Sequence, residues 1–461
     1  MRGTLAQLAQ AVSGASMTAD AAFDSVSTDS RSAGPGALFV ALRGETFDAH
    51  DFLDQAAAKG VVAVVAEQLP PGFALPALVV PNTLTALGQI ANSWRRQFDI
   101  PVIGVTGSNG KTTVKEMIAA ILAAAHGEEA RLATRGNLNN EIGVPLTLMR
   151  LSASHKSAVI EMGMNHPGEI ARLAAIAAPG IAVVNNAQRE HQEFMHTVEA
   201  VALENGAVLE SLAADGVAVF PGDEPYTALW QGLAGARRSL TFGLDPVCAV
   251  SCAHDARDFG SELLVVIREA GKAPRQFPVR LAAAGLHNVR NALAAIACAA
   301  AAGVPDEAIE RGLESFAPVN GRLQRKRAVC GATVIDDTYN ANPDSVRAAI
   351  DVLVQANAPR ILVLGDMGEV GTQGREFHEE IAAYAASRGI AEVLVTGELA
   401  RHMAGAGATH YEQLNDLLAA LDTRLGSNSD ATVLVKGSRF MKMERVVQHL
   451  LGSQNPSKDA H

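Results

Sequence analysis

Between Ile103 and Glu116 the chain reads I-G-V-T-G-S-N-G-K-T-T-V-K-E. A lysine and two hydroxyls set directly after a glycine-rich turn are groups that can hold a nucleoside triphosphate. Backbone N–H groups and a helix N-terminus cradle the phosphates, the Lys111 ammonium reaches the β- and γ-phosphates, and the Thr112 hydroxyl can ligate Mg²⁺. The spacing departs from G-x-x-x-x-G-K-[ST] at its first glycine, where Val105 stands, so Gly107 and Gly110 must do the bending. Context supports the match: apolar Pro101-Val-Ile-Gly-Val105 reads as a buried strand, and Lys111 opens an amphipathic helix. The candidate nucleotide contacts are therefore Thr106, Gly107, Ser108, Asn109, Gly110, Lys111, Thr112 and Thr113.

A triphosphate loop needs strands to carry it, and their ends supply further chemistry. Ser157 to Gly163 is an apolar strand ending in a carboxylate, Glu161. Ligands gather at the carboxyl ends of strands in open α/β sheets, so Glu161 is placed beside the phosphates, where it can hold Mg²⁺. Ile181 to Asn186 is another such strand and leads to His191, which position alone leaves open between metal ligand and cap. Residues 133–143 form a loop dense in amides, with Asn137, Asn139 and Asn140. His287, Asn288 and Asn291 open a very Ala-rich helix, where they could cap it or meet a base edge.

At 461 residues the chain has room for about three domains. Residues 1–83 read as a small α/β unit with polar loops at 27–31 and 43–50, whose residues alone indicate only turn chemistry. Residues 84–316 alternate strands and helices around the glycine loop, with antiparallel strands at about 240–282. Residues 317–461 follow a linker at Ala317–Arg322 and read as a third, Rossmann-like α/β unit. It begins with a hairpin of Arg327–Cys330 and Thr333–Thr338, carries Asp336, Asp337, Asp366 and Lys436 at strand ends, and frays from Gln454. A formal charge of −11 argues against a sequence-independent nucleic-acid binder. No apolar stretch is long enough to span a bilayer, and the start lacks a signal peptide's apolar core. The four cysteines form no C-x-x-C pair and read as free thiols in a reducing cytoplasm.

Taken in order, these segments resemble the ATP-dependent Mur ligases of peptidoglycan synthesis over nearly the whole chain. The likeness rests on T-D-S-R at 28–31, T-G-S-N-G-K-T-T at 106–113, G-N-L-N-N-E-I-G-V-P at 136–145 and E-M-G at 161–163. It continues through H-N-x-x-N at 287–291, G-R at 321–322, D-D-x-Y-N-A-N-P at 336–343, G-D-M-G-E at 365–369 and K-G-S-R at 436–439. The resemblance implies a UDP-substrate domain, a central P-loop ATPase domain and a C-terminal Rossmann-like domain that swings in. It implies the branch that joins D-alanyl-D-alanine to UDP-N-acetylmuramoyl-tripeptide in the cytoplasm, using ATP and Mg²⁺ and acting as a monomer. Ser30, Arg31, Glu45 and Thr46 become expected uridine-diphosphate contacts, and Asn137, Asn139 and Asn140 muramoyl-peptide contacts. Asn291 is expected at adenine, Arg322 at a phosphate, Asp337 at the ribose, and Asp366, Lys436 and Arg439 near the dipeptide. Lys111, Glu161 and His191 become the catalytic set, with Thr112, Glu161 and His191 as metal ligands. One departure stands out: many relatives carry a carbamylated lysine where this chain has Asn205, leaving Glu204, Asn205 or water to fill the place.

The implied reaction moves the γ-phosphoryl group onto a carboxylate, and the amine then attacks the acyl phosphate. Such transfer needs positioning and charge neutralisation more than a protein nucleophile, which fits the residues present. The rival readings are another Mur-type or folylpolyglutamate synthase-like amide ligase, and a nucleotide-driven switch with no covalent product.

Overall fold

The computed structural model describes residues 1–44, 46–426 and 428–452, so Glu45 and the polar tail from Gln454 lie outside the described residues. Three large sheets organise the chain, with five, nine and six strands. The five-stranded sheet runs Ser16–Met17, Ala77–Val79, Ala63–Ala66, Ala37–Val40, Ser25–Ser27, parallel except at its first pair. The 28–31 and 41–48 loops thus leave the carboxyl ends of two adjacent parallel strands, which is where an α/β sheet collects ligands.

The nine-stranded sheet holds the glycine loop. Val102–Thr106 lies between Ile181–Val184 and Ser157–Glu161, parallel to both, with Glu161 opposite Val105 and Val184 opposite Thr106. These strands are buried on both faces, which is why they read as unbroken apolar runs. Their register brings the ends of three strands to one edge, and the loops that follow meet there. The antiparallel part is smaller than the sequence indicates. Only Val250–Arg257, Gly260–Ile267 and Arg275–Leu281 run antiparallel, whereas Arg238–Phe242 is parallel to Val217–Pro221. The Ala-rich helix Leu286–Ala301 packs beside Lys111–His126, its small side chains letting two helices share one face of the sheet.

The six-stranded sheet orders Gln324–Arg327, Thr333–Asp337, Thr432–Lys436, Arg360–Leu364, Glu392–Thr396 and Thr409–Tyr411, parallel after the first antiparallel pair. Its hairpin begins earlier than the apolar letters of Arg327–Cys330 indicate. The first strand is the polar Gln324–Arg327, an edge strand with no hydrophobic signature, and Ala328–Ala332 is the turn. Helix Thr83–Arg95 follows the first sheet in sequence but packs on the second unit, where Asn92 Nδ2 donates to Ala175 O at 2.8 Å and Arg95 Nε to Ala177 O at 3.2 Å. Among the described residues, no helix is long and apolar enough to cross a membrane.

The second and third units are joined by charge. Arg189 Nη2 meets Asp344 Oδ1 at 2.7 Å, its Nη1 meets Glu380 Oε2 at 2.6 Å, and its guanidinium lies over the Phe377 ring. Arg347 shares Glu380 at 3.0 Å. The hydrogen bond from Arg189, with help from Arg347, holds the Glu380 carboxyl below the usual range despite partial burial. A depressed carboxylate contributes its docking energy above its unfolded pKa and loses it as pH falls through the folded value. Arg189→Ala is expected to loosen this docking and reduce turnover by about tenfold. An enlarged radius of gyration by small-angle scattering should accompany the loss, and wild type should approach the same state on acidification.

Candidate active site

A cavity of about 700 Å³ opens where the second and third units meet, floored by the glycine loop. Local backbone chemistry shapes that loop. Gly110 has φ +81° and a Cβ there would lie 2.4 Å from Asn291 Oδ1, so glycine alone fits. Gly107 N donates to Asn205 Oδ1 at 2.9 Å, Ser108 N to Asn186 O at 3.1 Å and Asn109 N to Asn186 Oδ1 at 2.9 Å. Those three amides are spent within the protein. The donors left free at this end of the cavity are the first-turn N–H groups of helix Lys111–His126, which have no intrahelical acceptor. Thr106 is fully buried behind the loop, its hydroxyl donating to Asn205 Oδ1 at 2.9 Å.

Lys111 Nζ donates to Gly107 O at 2.6 Å, to Ser108 O at 3.1 Å and to Glu190 Oε1 at 2.8 Å. Glu190 is a site residue that sequence reasoning passed over. It precedes His191 on the same strand-end segment, and that adjacency was the available signal. Burial pushes its carboxyl up, but Lys111 and His191 outweigh this and hold it below the ordinary range.

Thr112 Oγ1 donates to Glu161 Oε1 at 3.2 Å, and Asn139 Nδ2 reaches the same oxygen at 2.9 Å. The other carboxylate oxygen, Glu161 Oε2, is buried without a partner. A hydroxyl and a half-satisfied buried carboxylate are hard oxygen donors that fit Mg²⁺, an ion that takes one or two protein ligands and completes its shell with phosphate and water. No group of three or more His, Cys, Asp or Glu able to hold a metal exists among the described residues, in keeping with such a sparse set.

His191, expected as a metal ligand, faces two carboxylates. Its Nδ1 lies 2.7 Å from Glu369 Oε2, close but not aligned as a hydrogen bond, and its Nε2 lies 3.4 Å from Glu190 Oε1. Burial opposes its charge, yet the two carboxylates raise its pKa to about 9. As placed, the ring lies between two acids. Glu204 and Asn205 are also committed. Glu204 accepts from Gly168 N at 2.7 Å and Ile170 N at 2.8 Å, capping the helix Glu169–Ala177. Asn205, 1% exposed, pins Thr106 and Gly107. Asn205→Ala should cost about 2 kcal/mol by stranding two buried donors, read as a lowered melting temperature.

The third unit closes the cavity. Arg322 Nη2 donates to Thr112 Oγ1 at 3.0 Å, stacks over Tyr339 at 4.1 Å and keeps a buried, unpartnered Nε. Asn342 Nδ2 donates to Asn109 Oδ1 at 2.9 Å. Asp337 and Lys436, expected at different ligands, are partners at 2.6 Å on facing strand ends. Both still border the cavity, as does half-exposed Arg439. Asn291 also lines it, its amide held by Asn185 at 2.8 Å and Asn288 at 3.1 Å. Asn137 and Asn140 lie on the wall, and Asn140 Oδ1 accepts Gly143 N at 2.9 Å, which caps the next helix.

Asp366, expected near the dipeptide, is engaged within the protein. Its carboxylate accepts the amides of Glu398 at 3.0 Å, Leu399 at 3.1 Å and Ala400 at 2.7 Å. It is 6% exposed, and its carboxylate organises the turn at residues 398–400. Ser30, Arg31 and Thr46 lie off this cavity, on the loops of the first sheet. Arg31 pairs with Asp29, and Lys59 Nζ donates to Ser30 O at 2.7 Å. Glu45, expected beside them, lies outside the described residues.

Three family profiles match in order: "Mur ligase family, catalytic domain" over residues 22–95, "Mur ligase middle domain" over 105–299, and "Mur ligase, glutamate ligase domain" over 321–439. The UDP-N-acetylmuramoyl-tripeptide–D-alanyl-D-alanine ligase of Escherichia coli (strain K12) is 38% identical over 97% of this chain and 98% of its own. A crystal structure of MurF from Acinetobacter baumannii superposes with a TM-score of 0.91 at 33% identity, covering 98% of this chain and 99% of that one. MurF ligase from Thermotoga maritima in complex with ADP gives 0.82 at 27% identity, over 93% and 97%.

Proposed function

The chain belongs to the Mur ligase family, and from that premise we propose that it joins D-alanyl-D-alanine to UDP-N-acetylmuramoyl-tripeptide at the expense of ATP. The observation that carries this reading is the set of orphaned polar atoms in one cavity: Glu161 Oε2, Glu190 Oε2, Arg322 Nε and Asn185 Oδ1 all lack partners there. Both charge signs are represented, as a metal–triphosphate site requires. The relatives named for this activity and the ADP-bound neighbour support it.

ATP binds with its phosphates on the first turn of Lys111–His126, where Lys111 and Arg322 both border the cavity. Thr112 and Glu161 would hold Mg²⁺, which when bound would supply charge neutralisation at the phosphates. The substrate carboxylate takes the γ-phosphoryl group, and the dipeptide amine displaces phosphate from the acyl phosphate. Cationic groups are needed because two anions about 4 Å apart repel strongly where water is excluded. Asn139, hydrogen-bonded to Glu161, places the muramoyl peptide beside the metal. The first sheet's loops, with Ser30, Arg31 and Thr46, take the uridine diphosphate. The protein acts as a monomer, and a nucleotide-sugar substrate argues for the cytoplasm.

Mass detection of UDP-muramoyl-pentapeptide from tripeptide, ATP and D-alanyl-D-alanine tests the reading. Phosphate release without dipeptide, or turnover of a folate in place of the muramoyl peptide, would overturn it.

A further inference from the structure

Lys111 has three N–H donors, and each already has an acceptor: two loop carbonyls and one oxygen of Glu190. A phosphate oxygen reaches this ammonium only by displacing one of them. The carbonyls belong to the loop that carries the lysine, so the exchangeable partner is the carboxylate, which bears the same sign of charge as a phosphate. Both side chains are well shielded, Lys111 at 15% exposure and Glu190 at 11%. Glu190 Oε2 has no partner and borders the same cavity. The segment is fixed from both sides. Arg189 is tied to Asp344 and Glu380, and His191 faces Glu369.

We infer that Glu190 is an internal stand-in for the nucleotide's phosphates: it holds the Lys111 ammonium at the loop, competes with phosphate for it, and gives way when nucleotide binds. It is a positioning residue and touches no reacting atom. Holding the lysine keeps a cation aimed at the helix N-terminus where it would otherwise swing free. The competition lowers nucleotide affinity and so favours release of ADP after the reaction. Because Arg189 and His191 flank it, moving Glu190 also disturbs the contacts that dock the third unit.

The inference rests on the reading that Lys111 meets the phosphates, and the test separates the two. ADP is titrated calorimetrically into wild type, Glu190→Gln and Lys111→Ala, with EDTA replacing Mg²⁺. Glu190→Gln is expected to bind ADP about tenfold more tightly than wild type. Equal or weaker binding overturns the inference, and weakening seen only when Mg²⁺ is restored would make Glu190 a metal ligand instead. Thermal unfolding supplies a second readout. Glu190→Gln should melt below wild type without nucleotide and gain more than wild type on saturation with ADP, whereas equal gains would leave Glu190 a purely structural role. If Lys111→Ala binds ADP as well as wild type does, the underlying reading of Lys111 fails; if it loses binding while Glu190→Gln is unchanged, this inference alone fails.

Discussion

Lys111→Ala is expected to lose ligation by about 10³-fold, because an ammonium aimed at developing phosphoryl charge in a shielded site is worth several kcal/mol. The structure adds a second effect that the motif does not announce. Removing the lysine takes the nearer counter-charge from shielded Glu190 and leaves it only His191, at 3.4 Å. Breaking one side of a buried pair costs about 3 kcal/mol or more, so the variant should also melt at a lower temperature. The two losses separate in the Lys111→Ala/Glu190→Gln double variant, where removing the stranded charge restores stability and leaves activity absent. Near-normal turnover by Lys111→Ala would contradict the assignment. Recovery of activity in the double variant would show that the single change acted through folding.

Glu161→Ala is expected to reduce kcat by about 10²-fold, with extra Mg²⁺ restoring only part of it. The side chain has two tasks, which its two oxygens divide. Oε1 receives Thr112 and Asn139, while Oε2 has no protein partner and is the oxygen left to meet a cation. Alanine removes both. Glu161→Gln keeps the volume and an acceptor for Asn139 but not the charge, so its defect should lie mainly in the Mg²⁺ concentration needed for half-maximal rate. A metal dependence unchanged in both variants would exclude Glu161 as a ligand.

The family comparisons bear out the three-domain α/β architecture and the ligase branch expected from the sequence. Phosphate-binding chemistry was legible because it is local: a strand, a turn that only glycine can make, a lysine and a hydroxyl within ten residues. Strand-end carboxylates were legible as positions but not as roles. Glu161 and Asp366 look alike in sequence, each acidic and closing an apolar run. One keeps a free oxygen in the cavity, and the other is consumed by three backbone amides from residues 398–400. Asn205 likewise read as a gap in a metal site, whereas its amide holds the glycine loop from 98 residues away.

The sequence by itself therefore determined a glycine-rich strand–turn–helix at 106–113, alternating strands and helices in three units, and the ligase motifs in order. Those features follow from backbone conformation and hydrophobic period, which depend on near neighbours along the chain. Only the tertiary structure decided which polar groups remain free. That Glu190 occupies Lys111, that His191 lies between two acids and that Arg322 reaches Thr112 are contacts between strand ends and units distant in sequence. A side chain's hydrogen-bonding capacity is finite, and what it has left for a ligand is known only once its partners are in place.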